Sequence, residues 1–116
     1  MFCSNCLVYI AVVYHTVYNV CQTIEVSSAG EVLRSFGGER GDGPAQLNWP
    51  WYVVLDPVTN DCLIADRNNH RAVHLDPELR PTGVVISSPQ GPTRLCLAAD
   101  RLMVAHSNRV NVYALR

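Results

Sequence analysis

Apolar residues along the chain fall into short runs separated by clusters of Gly, Pro, Asn, Asp and Ser. The runs are Leu7–Val13, Thr23–Val26, Glu31–Phe36, Trp51–Leu55, Cys62–Ala65, Arg71–Leu75, Gly83–Ile86, Arg94–Leu97, Leu102–Ala105 and Arg109–Tyr113. Each has the length of a strand, and the β-branched and aromatic residues that dominate them fit a pleated sheet. The segments between them, 37–44, 56–61, 76–81 and 87–92, carry residues that supply positive φ or fix φ near −65°. No stretch sustains a 3.6-residue apolar period, so the pattern predicts an all-β chain of about ten strands, grouped three, four and three. Alternation assigns Val53, Leu55, Leu63, Ala65, Leu95, Leu97, Met103 and Ala105, or their immediate neighbours, to the core.

The runs also repeat. Pro50-Trp-Tyr-Val-Val-Leu-Asp56, Cys62-Leu-Ile-Ala-Asp66 and Arg71-Ala-Val-His-Leu75 return as Pro92 with Arg94-Leu-Cys-Leu-Ala98, Leu102-Met-Val-Ala-His106 and Arg109-Val-Asn-Val-Tyr113. The shift from Pro50 to Pro92 is 42 residues, the length of a four-stranded propeller blade. A fainter copy precedes both, with Val8–Val12, Thr23–Val26 and the outer strand Gly30–Phe36, joined by a longer connection from Val13 to Gln22.

Gly30-Glu-Val-Leu-Arg-Ser-Phe-Gly37, Gly41, Gln46-Leu-Asn-Trp-Pro50, Val53-Val-Leu-Asp56 and Leu63-Ile-Ala-Asp66-Arg-Asn-Asn69-His70-Arg71 together resemble one complete NHL repeat. The likeness is fullest over 30–76, lesser over 92–115 and faint over 7–26. The chain's end is similar to the last blade of tripartite-motif (TRIM)/NHL proteins. On this resemblance Gly37, Gln46, Pro50, Asp56, Asp66, Asn69 and Arg71, with Asn108 and Arg109 in the last copy, are structural repeat residues. The chain as a whole, 1–116, is then a partial NHL-type β-propeller of about two and a half four-stranded blades. These are an incomplete blade over 7–36, a full repeat over 37–90 and a three-stranded last blade over 91–116. Departures are the change from Asp66 to His106, Ala45 where the family has Gly, and loss of the Asn-His-Arg triplet from the first copy. Because two and a half blades cannot close a ring, the chain reads as a fragment or an oligomerising piece, with the last blade's fourth strand expected before Met1 in a longer relative.

Composition narrows the function. Of the 116 residues 48% are hydrophobic and 16% charged, which fits one folded domain, and the net charge of −1 lacks the basic excess of an obvious nucleic-acid binder. Leu7–Val13 is far short of the ~20 apolar residues of a spanning helix, and the first basic residue is Arg34, so neither a membrane span nor a secretory signal is expected. Five Cys, an odd number, suit a reducing compartment, and a cytoplasmic location follows as the expectation.

Candidate chemistry is sparse. Asp66-Arg-Asn-Asn-His-Arg71 is the most polar cluster, and its Asn-Arg pair survives in the shortened His106-Ser-Asn-Arg109, so Arg71 and Arg109 are expected to hold blade to blade by pairing with an acid of a neighbouring repeat. Arg67 and His70 project more freely and are the better ligand contacts. All nine basic residues are Arg, which favours bidentate recognition of carboxylate or phosphate, and the resemblance adds Arg94, Arg101 and His106 as ligand contacts. Of the rings in Trp49-Pro-Trp-Tyr52, most are expected in the core, and an exposed Trp51 would make a binding hot spot. Cys3-Ser-Asn-Cys6 has half the spacing of a zinc site without a second pair, so neither a metal nor a RING module is expected. No cofactor motif, phosphate loop or nucleophile elbow occurs. The resulting expectation is a non-catalytic surface for a protein or RNA, in a TRIM-like, ubiquitin-ligase-related context, with self-association because the propeller is incomplete. The rival is a fragment of a propeller enzyme, an amidating lyase or lactonase-like hydrolase, for which His106 would be the sole candidate residue.

Overall fold

A computed structural model describes residues 2–3, 8–15, 20–98 and 100–114. Among them are eleven strands: β1 (Phe2–Cys3), β2 (Val8–His15), β3 (Val20–Ser27), β4 (Val32–Glu39), β5 (Pro50–Leu55), β6 (Cys62–Asp66), β7 (Arg71–Leu75), β8 (Pro81–Ser87), β9 (Arg94–Ala98), β10 (Arg101–His106) and β11 (Arg109–Ala114). They form three antiparallel sheets in chain order, β1 to β4, β5 to β8 and β9 to β11. The all-β expectation holds among the described residues, where the one helical element is a single 3₁₀ turn over Arg67–Asn69. All ten expected strands are present. The two-residue β1 is additional and makes the grouping four, four and three. The long connection expected after Val13 is instead taken up by β2 and β3, which run on to pair His15 with Val20; residues 16–19 lie outside the described residues.

The sheets stack face to face. Ile10, Cys21 and Phe36 of the first sheet pack with Leu47, Val53, Cys62, Ile64, Val73, Leu75 and Leu79 in one cluster. On the opposite side of the middle sheet, Leu63, Ala65 and Ala72 pack with Leu95, Leu102 and Val104 of the last. Every residue of β6 is therefore buried. The closest approaches are made by β2 and β3 on β5, and by β9 on β5 and β6, so the middle and last sheets meet at their first strands and the first sheet meets the middle one through β2 and β3.

In β10 the core falls to the immediate neighbours of Met103 and Ala105. Leu102, Val104 and His106 are the buried residues there, while Met103 and Ala105 are only half-buried. In the middle sheet β6 is covered on both faces and hides both sets of its alternating residues. The last sheet is covered on one, so its alternation decides which set is exposed.

Two Asp-Pro turns connect the middle sheet's strands. Asp56 Oδ1 accepts from Val58 N–H at 2.9 Å, and Asp76 Oδ1 accepts from Glu78 and Arg80 N–H, both at 2.9 Å. The Arg80 N–H is the main reason that the Asp76 carboxyl lies below its ordinary value. Each turn carries one non-glycine residue at positive φ, Asn60 at 64° and Leu79 at 60°, and the second turn delivers Leu79 into the core. Gly37, at φ 91°, has a backbone reason for its place: a Cβ would stand 2.6 Å from the Cys21 carbonyl oxygen across the β3/β4 pair.

Candidate functional site

At one end of the sheets the β4–β5 connection, the 3₁₀ turn after β6 and the start of β9 come together. Asp66 organises this end. Its carboxylate is fully buried and accepts from the Asn48 backbone N–H at 2.7 Å, from Asn69 Nδ2 at 2.8 Å and from Arg71 Nε at 2.8 Å. A buried carboxylate with a charged partner and two further donors has its lone pairs satisfied. Arg71 then donates through Nη2 to the carbonyls of Gly43 (3.1 Å) and Gln46 (2.7 Å) and through Nη1 to that of Asp42 (3.4 Å), while Asn69 donates to the Gly41 carbonyl at 2.9 Å. Gln46 closes the same loop by accepting from Gly43 N–H. This corrects the expected pairing. Arg71 meets the acid of its own sheet, and the link to the preceding sheet runs through main-chain carbonyls of the connection, which a planar, five-donor guanidinium can bridge together.

The last sheet lacks this network. His106 is fully buried at the position matching Asp66, and neither ring nitrogen has a partner among the described residues. Imidazole is larger than a carboxylate and offers fewer acceptor sites, so it cannot gather an Asn and an Arg in the same way. The two-residue turn at Ser107 and Asn108, with Ser107 at φ 49°, leaves Asn108 and Arg109 exposed.

Around the Asp66 platform lie the expected ligand contacts. Arg67 stacks on Trp51 with its guanidinium carbon 4.9 Å from the ring centroid, and Arg94 stacks on Tyr52 at 5.0 Å. Trp51 is 41% exposed, whereas Tyr52 is packed against the interface of the middle and last sheets. Arg67 and Arg94 are both exposed. A guanidinium that stacks keeps its N–H groups in its own plane, free to meet an anionic group edge-on. His70, exposed at φ 52°, and Arg67 line an open pocket of about 240 Å³ with Asn68, Gly91, Thr93 and Ser107. Gly91 belongs there because a Cβ would lie 2.6 Å from the Arg67 carbonyl oxygen.

The remaining expected residues are scattered. Arg101 is exposed at the start of β10, at the opposite end of that strand from His106. Asp56 serves its turn, Pro50 is buried at the start of β5, and Gly37 serves the first sheet. Cys6 lies outside the described residues, and so does the side chain of Cys3. Among the described residues no three His, Cys, Asp or Glu side chains gather as a metal site, and no helix is long and apolar enough to cross a membrane. His74 bonds Asp61 at 3.0 Å and Thr82 at 2.6 Å. Sequence reading missed the stacking of Arg94 on Tyr52 and the contributions of Thr93 and Ser107. The signal for the last two was the repeat, which places both beside the starts of neighbouring elements at this end.

No protein-family model matches the chain, and no curated protein is similar enough to count as a match.

Proposed function

We propose that the chain presents a non-catalytic binding surface for a protein partner, at the end of the sheets where Arg67 and Arg94 stand over Trp51 and Tyr52. The single observation that carries the reading is this pair of stacked, solvent-facing guanidinium groups, of which Arg67 also lines a polar pocket. Stacking fixes each Arg against its ring, so less rotamer entropy is lost when a ligand arrives. The chemistry suits a partner segment that offers carboxylates together with an apolar side chain for the exposed Trp51. A net charge of −1 gives no long-range attraction for a polyanion, which favours a protein over RNA.

The finer architecture belongs to the same reading. Three consecutive antiparallel meanders stacked face to face, a 42-residue period and the Asp66-Asn69-Arg71 platform support blades of an NHL-type propeller of the TRIM-like class. The test uses two probes, a Glu- and Leu-containing peptide and a uridine oligonucleotide, each titrated while Trp emission is followed. The peptide is expected to shift the emission, and Arg67→Ala with Arg94→Ala to remove the shift. Binding of the oligonucleotide alone would replace the protein reading by an RNA one, and response to neither would overturn the site.

A further inference from the structure

At the end of the sheets opposite to Asp66, the first and middle sheets leave a cavity of about 290 Å³ between them. Its wall on the first sheet is one cross-strand row, Ile10 beside Glu25 beside Arg34. A β-bulge widens that wall. Arg34 lies opposite Glu25 and Val32 opposite Val26, so Leu33 is the extra residue of β4, and it lines the cavity together with Arg34. On the other side stands Leu55, at the end of β5, and the two Asp-Pro turns bring in their positive-φ residues, Asn60 and Leu79.

Glu25 is the group here whose bonding is incomplete. It is 7% exposed, close to the burial of Asp66, yet the two carboxylates differ in what meets them. Asp66 accepts from three donors, whereas among the described residues the Glu25 side chain accepts from Arg34 Nη1 alone. An ionised carboxylate offers about four acceptor sites, and burying them without donors is costly. The cavity is the space from which a further donor can reach Glu25. Three charged side chains line it: Glu25, Arg34 and Glu78, the last exposed and bonded to Arg80 at 3.1 Å. Two carboxylates against one guanidinium favour a cationic donor and repel an anion. We propose that this cavity binds a small primary amine with an apolar body, its ammonium donating to the Glu25 carboxylate and its body lying against Leu33, Leu55 and Leu79. An apolar lining with a few convergent polar groups is the usual composition of a small-molecule site, and a volume at the low end of the usual range limits the ligand to fragment size. This inference is independent of the Arg67 and Arg94 surface, which lies at the other end of the sheets.

The probes are 2-phenylethylamine and its two isosteric controls, phenylacetate and 2-phenylethanol, each titrated to millimolar concentration into the 116-residue chain while backbone amide resonances are followed by NMR. The amine is expected to shift the amides of Leu33, Asn60 and Leu79 saturably, phenylacetate to shift none of them, and the alcohol to bind more weakly than the amine. Glu25→Gln is expected to weaken the amine by about tenfold or more, the usual loss for a hydrogen bond to a charged group, and to leave the alcohol unchanged. Leu33→Trp repeats the test at an exposed position, in case Glu25→Gln disturbs the fold: the larger ring fills the cavity and abolishes the shifts with an unchanged far-UV spectrum. No response to the amine overturns the proposal, as does a response confined to other amides. Equal binding of all three probes, or preference for phenylacetate, overturns it too, because the first marks an apolar hole without charge selection and the second an anion site at Arg34. Undiminished amine binding in either variant has the same consequence.

Discussion

At the scale of single residues, burial separates side chains that the repeat makes look equivalent. Arg71 and Arg109 occupy matching positions, yet Arg71 pairs with a fully buried Asp66 while Arg109 is exposed. Removing one partner of a buried pair strands the other charge, at about 3–5 kcal/mol, whereas truncating an exposed side chain costs within about 0.5 kcal/mol. Arg71→Ala is therefore expected to lower the urea midpoint severely and Arg109→Ala hardly at all; equal effects would mean that Asp66 is held by its other two donors alone. Cys62 supplies the pH dependence. Burial pushes its thiol from 9.0 to about 12, so the folded chain holds a proton that the unfolded chain releases. Stability from this group is intact below pH 9 and is lost as pH rises from there, at about 1.4 kcal/mol per pH unit. Unfolding free energies measured between pH 8 and pH 11 are expected to fall less steeply in Cys62→Ala than in the parent chain.

At the scale of elements, the strands were legible because their signals are local. Ten runs bounded by Gly, Pro, Asn and Asp became ten strands, and Arg71–Leu75 did so with both ends as read. The Asp-Pro turns were legible for the same reason, since an Asp side chain meets amides two and four residues on in its own turn. Which residues of β10 face inward was not legible. Leu102, Met103, Val104 and Ala105 are all apolar, and the choice between the two alternating sets depends on which face has a neighbour. The partner of Arg71 was hidden by a different cause. Three of its acceptors are main-chain carbonyls, which any sequence supplies and no side-chain pattern announces. The candidate site lies between these cases: Arg67 and His70 could be read as exposed from their loop, but the ring under Arg94 comes from a different sheet.

At the scale of the whole molecule, the arrangement distributes stability unevenly. A sheet in a stack draws its stability from the interfaces it shares with its neighbours. The middle sheet shares two among the described residues and the last sheet one, and β11 has a strand, β10, on one side only. An edge strand offers alternate amides to solvent, while a strand covered on both faces and paired on both sides opens only when the molecule does. Native-state hydrogen exchange should therefore rank the strands. Amides of Cys62–Asp66 in β6 are expected to exchange at the rate of global unfolding, with a full denaturant dependence. In β11, every second amide of Arg109–Ala114 is expected to exchange without opening of the sheet, and the others at an intermediate rate through loss of β11 from β10. Equal protection of all β11 amides would show that a further strand pairs with its outer edge.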